Sequence, residues 1–77
     1  SLLRKRVAEV RLHELMRIAS GEIDLASLKA AGVINHNAIR AKVIASGTID
    51  KAVVLRGVST TAGARVAIEK AGGRVEA

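Results

Sequence analysis

Glycine sets the scale of what this chain can fold into. Gly21, Gly32, Gly47, Gly57, Gly63 and the Gly72-Gly73 pair interrupt it at short intervals. Each interruption limits the flanking element to about two or three turns of helix or one short strand. Hydrophobic spacing then assigns the pieces. Val7 to Leu12 alternates imperfectly, as a strand does, and Leu12, Leu15, Met16 and Ala19 stand at helical spacing on one face of a short helix that Gly21 can end. Ile23 reads as a short strand feeding Asp24, an N-cap for the turn Leu25 to Ala31, with Leu25 and Leu28 inward and Gly32 as the stop. Ile39, Ala41, Val43 and Ala45 alternate with Arg40, Lys42 and Ile44, which predicts a strand with one mostly basic face before the Ser46-Gly47-Thr48 turn. Ala52 to Val58 is β-rich, with Val53 and Leu55 on one side and Val54, Arg56 and Val58 on the other. Thr61 then caps a helix whose stripe is Ala64, Ala67, Ile68 and Ala71, Gly72 closes it, and Arg74 to Glu76 forms a last strand. Short strands alternating with short helices predict a small α/β domain, a short mixed sheet covered by short helices.

One folded domain over residues 1–77 is the size this layout supports. Leu, Ile and Val supply 23 of the 77 residues, above the roughly one-fifth below which a charged chain stays disordered. A chain this short buries only about 60% of its unfolded surface. It has no cysteine, so neither a disulfide nor a thiolate zinc site can add to that core. The absence of cysteine fits the cytosol. No apolar run approaches the ~18–20 residues of a membrane span. The chain begins at Ser1, and Ser1 to Arg6 is too short and too basic for a signal peptide, so a domain cut from a longer chain is the expectation.

Charge points to a polyanion. Thirteen Lys and Arg against seven Asp and Glu give a net charge of +6. The excess sits at the two ends of the chain, and residues 18–36 are locally neutral to acidic. With no Phe, Tyr or Trp, readers that stack single-stranded bases on aromatic platforms are excluded. Catalytic motifs fail on spacing. His13-Glu14 opens like a zinc helix, but Arg17 holds the second histidine position. His36 lies between Asn35 and Asn37 in a turn-prone stretch, where a lone histidine is a solvated loop residue. Gly57 to Gly63 has five residues between its glycines where a P-loop has four, and Ala64 stands where the lysine would be. No cofactor, metal or small-molecule substrate is expected, and no enzymatic activity.

What remains is weaker phosphate chemistry. Ser59-Thr60-Thr61 leads into a helix start whose free N–H groups suit a phosphate oxygen. A plain N-cap at Thr61 accounts for the same residues without a ligand. Arg56 ends the preceding strand and Arg65 sits in the first helical turn, where a cation opposes the helix dipole and an anion would relieve it. Arg40 and Lys42 extend the positive surface from an adjacent strand, and Arg4, Lys5 and Arg6 add a basic arm whose alternative is an ordinary solvated tail.

The run Lys42-Val43-Ile44-Ala45-Ser46-Gly47-Thr48-Ile49, then Val53, Leu55, Arg56-Gly57, Thr61, Ala64, Ile68 and Gly72-Gly73, resembles the signature of the bacterial large-subunit ribosomal protein L15 family. Ile23-Asp24-Leu25, Leu28-Lys29-Ala30-Ala31 and Ile34, with Val10-Arg11-Leu12 and Leu15 before them, extend the resemblance over nearly the whole chain. Thr60 departs from it, standing where the family usually has an apolar residue. The resemblance implies a C-terminal globular domain built as an irregular array of strand-strand-helix units, with the family's Gly/Arg-rich N-terminal extension absent. It also implies a non-enzymatic structural constituent of the large ribosomal subunit in the cytoplasm. Such a protein binds large-subunit (23S-type) rRNA, neighbours other ribosomal proteins, and supports subunit assembly and translation. Arg56, Gly57, Thr61 and Arg65 are the positions that match the family's RNA-facing motif. An alternative of a different class is a protein-interaction module that docks through residues 18–36.

Overall fold

The computed structural model describes residues 7–18 and 20–76. Arg4, Lys5, Arg6 and Ala19 lie outside the described residues. Six short strands, β1 (Val7–Arg11), β2 (Glu22–Ile23), β3 (Arg40–Ile44), β4 (Val54–Arg56), β5 (Ser59–Thr60) and β6 (Arg74–Glu76), alternate with a 3₁₀ helix, Leu12–Arg17, and two α-helices, α1 (Leu25–Ala30) and α2 (Ala62–Lys70). The expected small α/β layout is what the chain adopts, with a refinement. The strands divide over two three-stranded sheets, β1-β3-β5 and β2-β4-β6, and every pairing is parallel. Odd strands make one sheet and even strands the other, so each step along the sequence crosses between them.

Local chemistry explains where the helices begin and end. At Asp24 the carboxylate accepts from the Ser27 N–H at 2.8 Å while the Ser27 hydroxyl accepts from the Asp24 N–H at 2.8 Å, a reciprocal cap that starts α1. These bonds, the one from the Ser27 backbone first, hold the Asp24 carboxyl below its ordinary value. At the other end Val33 N–H donates to Leu28 O and Gly32 N–H to Lys29 O, each at 3.0 Å, with Gly32 left-handed at φ +73°. The same paired closure ends α2, through Gly73 to Ile68 and Gly72 to Glu69, with Gly72 at φ +92°.

The first helical segment departs from the expected α-helix. It is 3₁₀, so at three residues per turn Leu12 and Leu15 align and are buried, while Met16, one residue further round, is exposed. Gly21, left-handed at φ +77°, turns the chain into β2 and does not cap that segment, which ends at Arg17. The strand expected over Ala52 to Val58 is shorter. Gly57, at φ +68°, breaks the alternation after Arg56 and turns Val58 into the core, opposite to the side that strict alternation gives it.

The core fills the space between the sheets. Val10 and Val43 come from the first sheet, Ile23 and Leu55 from the second, and Leu12, Leu15, Leu28, Val53, Val58, Ala64 and Ile68 from the segments joining them. No polar or charged residue is buried among the described residues, so the core carries no desolvation penalty. Backbone bonds outside the ladders tie the two sheets together: Thr61 N–H to Val43 O at 3.0 Å, Gly57 N–H to Glu76 O at 3.1 Å, and Arg74 N–H to Val53 O at 2.9 Å. No helix among the described residues is long and apolar enough to cross a membrane.

Candidate nucleic-acid interface

The predicted cations fall into two groups with different surroundings. Arg56 ends β4 in the second sheet, where parallel register sets it opposite Glu76 of β6. Its guanidinium lies 3.6 Å from that carboxylate and 3.4 Å from Glu22, and Glu76 also takes Arg74 at 2.6 Å. Two arginines and two glutamates thus make a closed, exposed network with no net charge. Arg65 is likewise held by Glu69, one turn along α2, at 3.6 Å. The relief expected from an external anion is therefore already supplied by internal carboxylates. These pairs are exposed, so each contributes only about 0–1 kcal/mol and yields to salt or a stronger partner.

Arg40 and Lys42 lie in the first sheet, apart from Arg56. Register pairs Lys42 with Ser59, so the two basic residues flank β5 and the hydroxyl run, where a strand adjacent to β4 was expected. Both are exposed, on the side of β3 opposite the buried Ala41 and Val43. Thr61 is the N-cap of α2: its hydroxyl oxygen accepts from the Ala64 N–H at 3.2 Å, and its own N–H is taken by Val43. The hydroxyl proton and the first N–H groups of the helix remain available to a ligand beside Lys42.

Gly57, Val58, Ser59, Thr60, Arg65 and Val75 line an open groove of about 570 Å³ between the two groups. It brings Gly57 and Arg65 together as the sequence suggested, and adds the backbone and hydroxyls of Ser59 and Thr60. Thr60, the departure from the family pattern, is half-buried in β5 opposite Val43. Arg11 escaped sequence reasoning. Its place in the Val7 to Leu12 alternation puts it on the outer side of β1, but only the register with β3 sets it beside the other cations. Elsewhere His36 is exposed within a turn closed by Asn37 N–H to the Asn35 side chain at 2.8 Å. No cluster of three or more His, Cys, Asp or Glu that could hold a metal occurs among the described residues.

Comparison with known proteins adds an independent line. A family model described as the ribosomal proteins 50S-L15 and 50S-L18e and their 60S counterpart matches residues 4–76. Among curated relatives, the large ribosomal subunit protein uL15 of Halorhodospira halophila is 60% identical over 70 residues, 91% of this chain and 48% of the relative. The uL15 proteins of Aeromonas salmonicida, 55% identical over 69 residues, and Dichelobacter nodosus, 54% over 76, cover 90% and 99% of this chain, and 48% and 53% of their own lengths. The chain spans about half the length of these relatives.

Proposed function

The chain belongs to the family of ribosomal proteins that takes in 50S-L15, and from that premise we propose that it is a structural constituent of the large ribosomal subunit in the cytoplasm. In this reading it is the C-terminal globular domain of a longer protein and binds large-subunit rRNA through phosphate and sugar contacts. It thereby supports subunit assembly and translation and carries out no catalysis. The observation that carries the reading is the family match over residues 4–76, with more than half of the aligned residues identical in each relative compared.

The surface chemistry suits that role. Arg40 and Lys42 offer exposed charge beside Ser59, and the N-terminus of α2 offers N–H groups at Thr61. Arg56 and Arg65 add cations that can exchange a carboxylate for a phosphate at little net change, because their present pairs are solvent-exposed. Contacts of this type position a protein on folded RNA without reading sequence, and no aromatic residue is needed.

Titrating the chain with large-subunit rRNA at several salt concentrations tests the proposal. Each neutralised phosphate contributes ~0.7–0.9 to the slope of log affinity against log salt, so binding should fall severalfold when salt doubles. A flat salt response would remove the phosphate-contact mechanism. Association with large subunits only when a protein neighbour is present, with no RNA binding by the chain alone, would transfer the role to protein docking through residues 18–36.

A further inference from the structure

We infer that the outer face of the first sheet is the RNA-docking surface of this domain, and that Arg11, Arg40 and Lys42 seat successive phosphates of one RNA strand. This rests on the RNA-binding reading above, and it names the surface that does the binding and a residue, Arg11, that sequence reasoning did not select. The first sheet buries one face, through Val10, Ala41 and Val43, and leaves the other to solvent, where Glu9, Arg11, Arg40, Lys42 and Ser59 are all exposed. Parallel register aligns them: Glu9 opposite Lys42, Arg11 opposite Ile44, and Lys42 opposite Ser59 on the far side.

Charge decides between this face and the arginines of the second group. Among the described residues Arg11, Arg40 and Lys42 form no ion pair, whereas Arg56 and Arg65 each have a carboxylate within 3.6 Å. A phosphate approaching Arg56 also meets Glu22 and Glu76; one approaching the sheet face meets three unpaired cations and a single acid, Glu9. Spacing favours a linear polyanion. Residues two apart on a strand lie ~6.6 Å apart, and neighbouring strands ~4.8 Å apart. Arg40 and Lys42 therefore stand one such step apart on β3, and Arg11 continues the line one step further, displaced onto β1. That step is comparable with the separation of adjacent phosphates along a nucleic-acid strand. Ser59 lies on the flank of the line and also lines the groove, which joins the face to the start of α2.

Two variants separate the surfaces: Arg11→Gln with Arg40→Gln and Lys42→Gln, against Arg56→Gln with Arg65→Gln. All five side chains are exposed, and urea melts confirm that both variants stay folded. With large-subunit rRNA, the sheet-face variant should lose about 2 from the magnitude of the salt slope, at ~0.7–0.9 per contact, while the second variant keeps nearly the parent slope. An unchanged slope in the sheet-face variant, with the parent chain still binding in a salt-dependent manner, overturns the inference and leaves the proposed function standing. A parent chain with no salt-dependent binding overturns both. Polyglutamate binding to the parent chain as tightly as rRNA at matched charge would also overturn the inference, by indicating an acidic protein as the occupant.

Discussion

Gly73→Ala should be far more damaging than its backbone conformation suggests. Gly73 is not among the left-handed glycines, so alanine can adopt its dihedral angles. The difficulty is space. A Cβ built there would collide with the Val53 carbonyl oxygen, and would lie 2.8 Å from the Val53 nitrogen and 3.0 Å from the Ile68 side chain. Val53 and Ile68 are fully buried, and the obstructing Val53 atoms are backbone, so no flexible side-chain end can swing aside. Overpacking of this kind costs about 1–3 kcal/mol. The necessary shift also strains the bond from Arg74 N–H to Val53 O, at 2.9 Å, worth a further ~0.5–1.5 kcal/mol. A loss of roughly 2–4 kcal/mol is a large part of the ~4–12 kcal/mol that 0.05–0.15 kcal/mol per residue allows a domain of this length. Urea unfolding measures it: at about 1 kcal/mol per molar, the midpoint should drop by ~2–4 M or the fold be lost. Gly57→Ala is the comparison. It is left-handed at φ +68° with nothing within 4 Å of a Cβ, so only its backbone is strained, at a cost of about 1 kcal/mol. If Gly73→Ala proves no more destabilising than Gly57→Ala, the close-approach argument is wrong.

Thr61→Ala removes the acceptor for Ala64 N–H and should destabilise the chain by about 1 kcal/mol in a urea melt, with Thr61→Ser close to the parent. Equal losses in the two variants would deny the capping role. Asp24 should give the stability curve an acid limb. Because its folded-state carboxyl is held below the ordinary value, its contribution is present above the unfolded carboxylate range and lost as pH falls through the folded value. Ser27→Ala removes part of that effect and should flatten the limb in melts taken at successively lower pH; superimposable acid limbs would show that the cap does not set it.

What the sequence disclosed was local. The caps at Asp24 and Thr61 and the stops at Gly32 and Gly72 depend on residues within one or two turns, so residue type and spacing are enough to find them. Leu12 and Leu15 satisfy both 3₁₀ and α spacing, and a single turn gives too little length to tell three residues per turn from 3.6. Val58 was placed on the wrong side because alternation assumes an unbroken strand, and Gly57 breaks it. The site was half legible for the same reason. Residue type identified Arg56, Arg65, Arg40 and Lys42 as cations, but the charge each can offer depends on register between distant strands. Setting β6 beside β4 neutralises Arg56, and setting β1 beside β3 brings Arg11 to Lys42. No local pattern encodes those pairings.

The interleaving of odd and even strands has a consequence for synthesis. A chain made from its N-terminus first cannot finish either sheet early: the first lacks its third strand until Thr60 has emerged, and the second until Glu76. Neither half of the polypeptide is an autonomous folding unit, since any early segment holds isolated members of both sheets and the partners they need come later. Contacts between residues so far apart in sequence slow folding and delay burial of apolar strands. The nascent domain therefore stays open, with its valines and leucines exposed, almost to its last residues, and then closes both sheets in a single late event.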